Sequence, residues 1–285
     1  MTHSTVKSNG FIVSPKFQKE WIEGRGLWLL AAIYFGGVGG GLFIVSAFVN
    51  WHMGLLLAVG ITAILKGGTH LIFLKRPWRC WRMFCRPQTS WISRGICFVS
   101  LFIIFGLAYY SLGGPVLMAI STFFALCLVM YTGFALLALK PIAFWNNHLL
   151  PILFVSVSLA SGISLTETIN ILFPQDIAHP ELLEIAAPWA VSITALLILV
   201  YLLGTFRSSI TAKESVLYLV KGQLAPIFYT GVVFLGIMLP LAILIAAYFD
   251  LVPSSALAVS GILELIGAFI LRYSILKAGI HVPVM

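Results

Sequence analysis

Charged residues are scarce in this sequence: Asp, Glu, Lys and Arg make up 9% of its 285 residues, against roughly 25% in an ordinary soluble domain. Hydrophobic residues make up 60%, and the mean hydropathy is +1.05. A soluble core of this size cannot hide so much apolar surface, whereas a lipid bilayer can. The composition therefore excludes a soluble enzyme and predicts an integral membrane protein.

Cysteine is also rare, with four residues: Cys80, Cys85, Cys97 and Cys127. Cys80 and Cys85 are five positions apart, which is not the CxxC spacing of a zinc or redox site. We therefore expect packing roles for the cysteines and no iron–sulfur cluster in this protein. The opening stretch 1–26 lacks a short apolar region with a small-residue cleavage site, so we interpret it as a polar tail and not a signal peptide.

Eight apolar runs are long enough to cross a bilayer, which takes about 20 residues per helix. They fall at approximately 27–50, 54–74, 95–113, 115–139, 148–171, 189–207, 226–249 and 254–276. Prolines and polar clusters separate them, including Pro188 before the sixth run and the basic stretch from Lys75 to Arg94. The fold class predicted is an all-α integral membrane protein with eight transmembrane helices.

The distribution of positive charge predicts the orientation. If the Lys75–Arg94 stretch faces the cytoplasm, alternation of the spans places every Lys and Arg except Lys66 on that side. Those residues are Lys7, Lys16, Lys19, Arg25, Lys75, Arg76, Arg79, Arg82, Arg86, Arg94, Lys140, Arg207, Lys213, Lys221, Arg272 and Lys277. The opposite loops carry acids instead: Asp176, Glu181, Glu184 and Asp250. We therefore expect both termini in the cytoplasm, and the high pI gives no reason to expect a nucleic-acid partner.

Three charged side chains fall inside the predicted spans: Lys66, Glu167 and Glu264. Charges in hydrocarbon are costly and indicate function by default. His70 lies one helical turn beyond Lys66 on the same face. Tyr131 of the fourth span and Tyr34 of the first lie at a similar depth.

If the first, second and fourth helices are neighbours, the Lys66 amine, the His70 imidazole and the two hydroxyls converge in an apolar cleft. That combination suits a quinone, whose carbonyls need hydrogen-bond donors and whose reduction needs protons.

Each of these residues also has a purely structural interpretation. Lys66 can extend to the membrane interface, His70 can donate to a carbonyl, and Tyr34 can be a packing aromatic. Glu167 lies near the outer boundary and suits an interfacial carboxylate. Glu264 is near mid-span, so it should be paired, protonated or part of a proton path.

Five glycines occupy six positions of the first span, from Gly36 to Gly41. Glycine weakens a helix, and the usual reason for it in a membrane is close approach of another helix or of a ligand. Two interpretations stay open: close packing of another helix, or a flat ring lying against a glycine such as Gly40.

The stretch from Lys75 to Phe84 interleaves cations and aromatic residues. It suits an interfacial segment with tryptophans at the headgroup level. It also suits a docking surface for an acidic partner, formed by Arg76, Arg79, Arg82 and Trp78.

Three longer segments carry a family resemblance: LKRPWRCWRMFCRPQTSWISRG (74–95), YTGFALLALKPIAFWNNHLLPILF (131–154) and GAFILRYSILKAG (267–279). Together with the glycine-rich first span, they resemble the NrfD/polysulfide-reductase family of quinone-interacting membrane subunits over nearly the whole sequence.

This resemblance implies two four-helix bundles, at 27–139 and 140–285, and no haem. It implies a multi-pass subunit of a prokaryotic inner membrane that binds menaquinone or ubiquinone. Its partners would be a ferredoxin-like iron–sulfur subunit with four clusters and a molybdopterin catalytic subunit.

The resemblance also assigns residues. Tyr131 matches the tyrosine that lies at the quinone in family members, and Arg76 and Arg79 match the family's basic loop. Where many members have a histidine or an acid, this protein has Phe73, so His70 and Lys66 are substitutes inferred from depth. Catalytic subunits of the family are often extracytoplasmic, whereas charge here places the basic loop in the cytoplasm. We expect docking on the cytoplasmic face.

Two other functions remain open. The membrane-embedded Lys66 and Glu264 and a weak similarity of the two halves are compatible with a secondary transporter. A haem-b anchor needs two inward-facing histidines at matching depths, for which His70 and His148 are the candidates.

Overall fold

The computed structural model describes residues 6–8, 11–13 and 16–281, and the fold of this part is almost entirely helical. Eight of its helices are long and apolar enough to cross a membrane, as predicted. They are α1 (Gly26–Phe48), α2 (His52–Phe73), α3 (Trp91–Leu112), α4 (Pro115–Leu137), α5 (Leu149–Leu172), α6 (Glu181–Ser208), α8 (Ala225–Tyr248) and α9 (Ser255–Ala278). A shorter helix, α7 (Ile210–Val220), connects α6 to α8.

Two helices begin four or more residues earlier than the apolar runs predict. Helix α3 starts at Trp91 because the Ser90 side chain accepts a hydrogen bond from the Ser93 N–H and caps its first turn. Helix α6 starts at Glu181 and contains Pro188, which the apolar pattern places before the helix. That predicted boundary is wrong because a proline in the second turn removes one backbone hydrogen bond and does not end the helix.

Helix α1 is the most buried of the eight and contacts α2, α4, α5 and α9. Its glycines allow these neighbours to approach. A Cβ on Gly41 would overlap the main chain of Ser158 on α5, and a Cβ on Gly162 of α5 would overlap that of Gly41. A Cβ on Gly40 would likewise meet the Val129 side chain and the Ala125 carbonyl of α4. The structure therefore favours close helix packing as the reason for the glycines.

The remaining contacts follow the order of the helices closely. Helix α2 packs on α3, and α3 packs on α4. Helix α5 packs on α1, α4, α6 and α9, and α8 packs on α9, where Gly236 lies against Gly267. The tight α3–α4 turn uses Gly113 and Gly114, whose φ angles of 67° and 92° favour glycine.

The apolar core consists of two clusters, one toward each end of the helices. On α1, one cluster contains Leu30 and Ile33 and the other contains Leu42 and Phe43. Buried polar side chains lie between the two levels on the neighbouring helices, including Ser158 and Ser161 on α5 and Glu264 on α9. A band of buried polar side chains thus separates the two apolar clusters on these helices.

Short strands bring the two ends of the described polypeptide together. Strand β1 (Val6–Ser8) pairs with β2 (Phe11–Val13), and β3 (Lys16–Phe17) pairs antiparallel with β4 (Ile280–His281). Because β3 precedes α1 and β4 follows α9, both ends lie on one side of the helices, as an even number of spans requires.

Candidate functional site

The Lys66 side chain is buried among helices α1, α2 and α4. It is the last residue of a π-helical turn, Ile61–Lys66, which interrupts α2; such turns are frequent at functional sites. Only 3% of Lys66 is exposed, so its amine does not extend to the interface. The ammonium Nζ donates to the Tyr131 hydroxyl oxygen at 2.9 Å and lies 3.4 Å from the Ala32 carbonyl oxygen. The structure thus joins the predicted amine and hydroxyl directly.

Two glycines shape the space around this pair. A Cβ on Gly36 of α1 would lie 3.0 Å from both Cδ and Nζ of Lys66, so a larger residue there would press on that side chain. Gly95 of α3 lies against the Tyr131 ring, where a Cβ would overlap it. Tyr131 itself is only partly buried. The pair therefore lies at an edge of the first four helices, not in a sealed centre.

His70 follows one turn beyond Lys66 and is partly buried, with its ring centroid 6.2 Å from that of Phe73. Between them, Gly67 and Gly68 leave the backbone of α2 open. No other group lies within 4 Å of a Cβ built on Gly68, and only the Thr62 carbonyl lies 3.8 Å from one on Gly67. A flat molecule can therefore approach this part of the helix closely.

Tyr34 does not join Lys66 and Tyr131. Its hydroxyl donates to the Leu265 carbonyl of α9 at 3.2 Å, and its ring packs edge-on against Phe269. The predicted convergence of both tyrosines on one cleft is not found, because Tyr34 faces α9 while Lys66 approaches α1 beside Gly36. Gly40, proposed as a surface for a ring, is covered by α4.

Arg272 is the main residue whose position the sequence predicts incorrectly. The charge distribution counts it among the cytoplasmic cations, but it is buried in α9 with 1% exposure. Its guanidinium donates to the Ser158 hydroxyl of α5 at 3.1 Å and to the Ala268 carbonyl at 3.0 Å, and it lies against Gly37 of α1. The positive-inside count is therefore 15 residues, one fewer than the 16 predicted from the 17 cations.

Glu264 lies in the same region, with 5% exposure. The Ser164 hydroxyl of α5 donates to its carboxylate. Glu167, which we expected at the interface, is also buried, with 7% exposure. We call Tyr34, Ser158, Ser164, Glu264 and Arg272 the central polar cluster; it lies among α1, α5 and α9, apart from the Lys66–Tyr131 pair.

The predicted docking residues follow α2. A 3₁₀-helix, Pro77–Phe84, contacts the end of α2 and the start of α3. Arg76, Arg79, Arg82 and Trp78 are all exposed there. The four cysteines form no disulfide among the described residues, and His148 stands directly before α5, outside that membrane helix.

Comparison with known proteins gives one family match and two relatives. The family model described as "Polysulphide reductase, NrfD" matches residues 25–284. The C subunit of polysulfide reductase from Wolinella succinogenes is 24% identical to this protein, over 88% of this sequence and 93% of that protein. Protein NrfD of Escherichia coli is 31% identical over 137 residues, which cover 37% of this sequence and 43% of that protein. The family match spans both the Lys66–Tyr131 pair and the central polar cluster.

Proposed function

Because this chain belongs to the NrfD polysulphide reductase family, we propose that it is the membrane anchor of a respiratory oxidoreductase in a prokaryotic inner membrane. It exchanges electrons and protons between a quinone and an iron–sulfur partner subunit. The observation that carries the proposal is the buried Lys66 ammonium hydrogen-bonded to Tyr131 inside the bilayer. A buried cation in lipid is costly and is retained where it serves a function.

The residues around this pair fit a quinone ring. Menaquinone or ubiquinone supplies reversible two-electron, two-proton chemistry when bound. Lys66 and Tyr131 present polar hydrogens to a ring carbonyl, and Gly67, which follows Lys66 on α2, has no side chain to fill the adjoining space. The partial exposure of Tyr131 supports entry from the lipid, where quinones reside.

The direction of the Lys66–Tyr131 hydrogen bond determines what Tyr131 can do. The Tyr131 oxygen accepts from the ammonium, so its own O–H remains free to donate to a ligand. The positive charge also favours negative charge on a nearby oxygen, because the local dielectric constant is low. Lys66 therefore positions Tyr131 as a donor and stabilises the reduced ligand.

Protons would reach this site by a short route and a long one. His70 lies between Lys66 and the end of α2 at Phe73, and an imidazole can pass a proton between water and the pair. Glu264 belongs to the central polar cluster, which adjoins the pair across α1, where Gly36 contacts Lys66 and Gly37 contacts Arg272. We assign His70 to proton exchange with the near surface and Glu264 to any path across the membrane.

The partners are proposed from the family. They are a ferredoxin-like subunit with four iron–sulfur clusters and a molybdopterin catalytic subunit, docked on Arg76, Arg79, Arg82 and Trp78. The relative from Wolinella succinogenes is named as one subunit of polysulfide reductase, which supports an assembly of several subunits. The proposed orientation has both termini in the cytoplasm and two four-helix bundles, 27–139 and 140–285.

Tyr131→Phe tests the proposal. Removing the hydroxyl deletes one donor and leaves the ring packed on Gly95, so quinol-linked turnover should fall by on the order of a hundredfold. The matched control is Tyr201→Phe, which removes a buried hydroxyl that donates to the Phe144 carbonyl, away from the site. Turnover with quinol and co-purification of the partner subunits are measured together. If Tyr131→Phe had the same quinol kinetics as the wild-type protein, the proposal would be wrong.

A further inference from the structure

The 3₁₀-helix Pro77–Phe84 sorts its side chains into three rows, because such a helix has three residues per turn. The row that rests on the protein is partly buried: Pro77, Cys80 and Met83. The second row is aromatic and exposed to 72%, 59% and 46%: Trp78, Trp81 and Phe84. The third row is basic and exposed: Arg79 and Arg82. The helix is therefore attached along one side and offers separate aromatic and basic sides.

The position of this helix corresponds to the edge of the membrane. It follows directly on α2, which ends at Phe73, and it contacts the start of α3. Tryptophans are enriched at the level of lipid headgroups, where an apolar ring and a polar N–H are both accommodated. Three exposed aromatic side chains at this level are thus directed to the interfacial region of the bilayer and not to bulk water.

A cavity of about 380 Å³ opens between the end of α2 and this helix. It is lined by Leu74, Lys75, Arg76, Arg79, Cys80 and Met83. Three of these residues are cationic, and most of the surface that faces the cavity is apolar. That combination matches a phosphate ester attached to a glycerol unit, because the cations bind the phosphate oxygens and the apolar residues contact the hydrocarbon.

Among the residues that the structure describes, the cations of the cavity have no carboxylate partner within 4 Å. The stretch from Lys75 to Arg94 contains no Asp or Glu. In the part of the protein that the structure describes, the ion pair found within 4 Å is that of His179 with Glu181, elsewhere in the molecule. Arg94 differs, because its guanidinium donates to the Pro87 and Gln88 carbonyls and fixes the loop. Lys75, Arg76 and Arg79 are therefore available to an external anion.

We propose that this cavity binds the phosphate headgroup of an anionic phospholipid from the surrounding bilayer. Basic pockets at the ends of transmembrane helices recognise such lipids, and a planar guanidinium binds phosphate in bidentate fashion. An acidic protein partner explains the basic row less well, because it does not account for aromatic residues beside the cavity at headgroup level. The proposal is independent of quinone binding, but it reassigns Arg76, Arg79 and Trp78 from the proposed docking surface to the lipid. Arg82, which does not line the cavity, remains for docking on the water side.

Two cysteines of the same segment provide the test. Cys80 lines the cavity and is partly buried, whereas Cys85 is exposed outside it. The full-length protein is placed in nanodiscs of phosphatidylcholine, with or without phosphatidylglycerol or cardiolipin, and labelled with a maleimide. Peptide mass spectrometry gives the two labelling rates. Anionic lipid should slow the labelling of Cys80 several-fold and leave that of Cys85 unchanged.

A charge variant and its matched control show whether the cations of the cavity cause the protection of Cys80. Lys75→Gln with Arg76→Gln and Arg79→Gln should remove the protection, because each cation contributes about fivefold in lipid affinity, on the order of a hundredfold together. Arg207→Gln with Lys213→Gln and Lys221→Gln changes the same charge at exposed positions elsewhere and should retain it. Arg76→Lys with Arg79→Lys keeps the charge but loses the bidentate geometry of the guanidinium, so it should retain part of the protection.

Three results would overturn the proposal. The first is an equal Cys80 labelling rate in neutral and anionic nanodiscs. The second is equal protection by inorganic phosphate in phosphatidylcholine nanodiscs, which would indicate a site for a free anion. The third is protection that arises with the co-purified iron–sulfur partner and not with lipid, which would indicate a protein interface. Because no quinol is present, none of these results bears on Tyr131.

Discussion

At the scale of single residues, the molecule buries two cations in its membrane helices and uses them differently. The sequence predicts the membrane position of Lys66 because this residue interrupts a long apolar run and shares its depth with Tyr131. It does not predict the burial of Arg272, because an arginine six residues before the end of an apolar helix usually extends to the interface. The environment of Arg272 depends on which side of α9 it occupies. That side faces Gly37 of α1 and Ser158 of α5. No local pattern contains this information.

Lys66→Gln should reduce quinol-linked turnover by ten- to a hundredfold, because it removes a charge-assisted hydrogen bond to Tyr131 worth about 1.5–3 kcal/mol. Turnover is compared between quinol and a soluble donor that reduces the partner subunits directly. The soluble-donor rate should be unchanged. An equal loss with both donors would mean that Lys66 supports assembly and not the quinone site.

Arg272→Met should destabilise the protein by about 3 kcal/mol, because Ser158 and Glu264 keep buried polar groups after their cationic neighbour is removed. Thermal unfolding in detergent measures the change. The control Arg207→Met alters an exposed arginine and should change stability by less than about 0.5 kcal/mol. Equal midpoints for the two variants would show that the central polar cluster does not stabilise the fold.

At the scale of helices, the sequence predicts which segments span the membrane more accurately than it predicts which helices contact one another. The lengths of the apolar runs predict the eight spans, and the Gly-Gly-Pro sequence predicts the α3–α4 turn. The run of glycines in α1 indicated a close approach, but each glycine has a different neighbour: Lys66 at Gly36, Arg272 at Gly37 and the α5 main chain at Gly41. These assignments require the order of helices around α1, which hydropathy does not contain.

Gly41→Ala should cost more than about 2 kcal/mol, because the added methyl group would overlap the Ser158 main chain and separate α1 from α5. Gly60→Ala is the control. No atom lies within 4 Å of a Cβ built there, so alanine should stabilise α2 by up to about 1 kcal/mol. The two changes are compared by thermal unfolding; a stabilised Gly41→Ala would contradict the packing of α1 on α5.

At the scale of the whole molecule, the even number of spans and the shared side of both ends were predictable from apolar runs and charge. The face of the membrane on which they lie stays a prediction from charge, and removing Arg272 from the count leaves the predicted asymmetry at 15 cations to none. The separate location of the central polar cluster was not predictable, since it depends on contacts among α1, α5 and α9.

Reporter fusions test this orientation. Green fluorescent protein attached after Met285 should fluoresce, and alkaline phosphatase at the same point should be inactive, because the positive-inside rule places this end in the cytoplasm. The control is a phosphatase fusion truncated at Asp250, between α8 and α9, which should be active. The opposite pattern would move the basic loop, and the docking surface with it, to the extracytoplasmic face.

The pairing of β3 with β4 has a consequence for biosynthesis. Residues 16–17 are translated before any of the eight helices, yet the backbone groups that complete their ladder belong to residues 280–281 and are translated after all of them. The early segment must therefore wait, unpaired, through insertion of all eight helices. The final register closes only after residues 280–281 have left the ribosome.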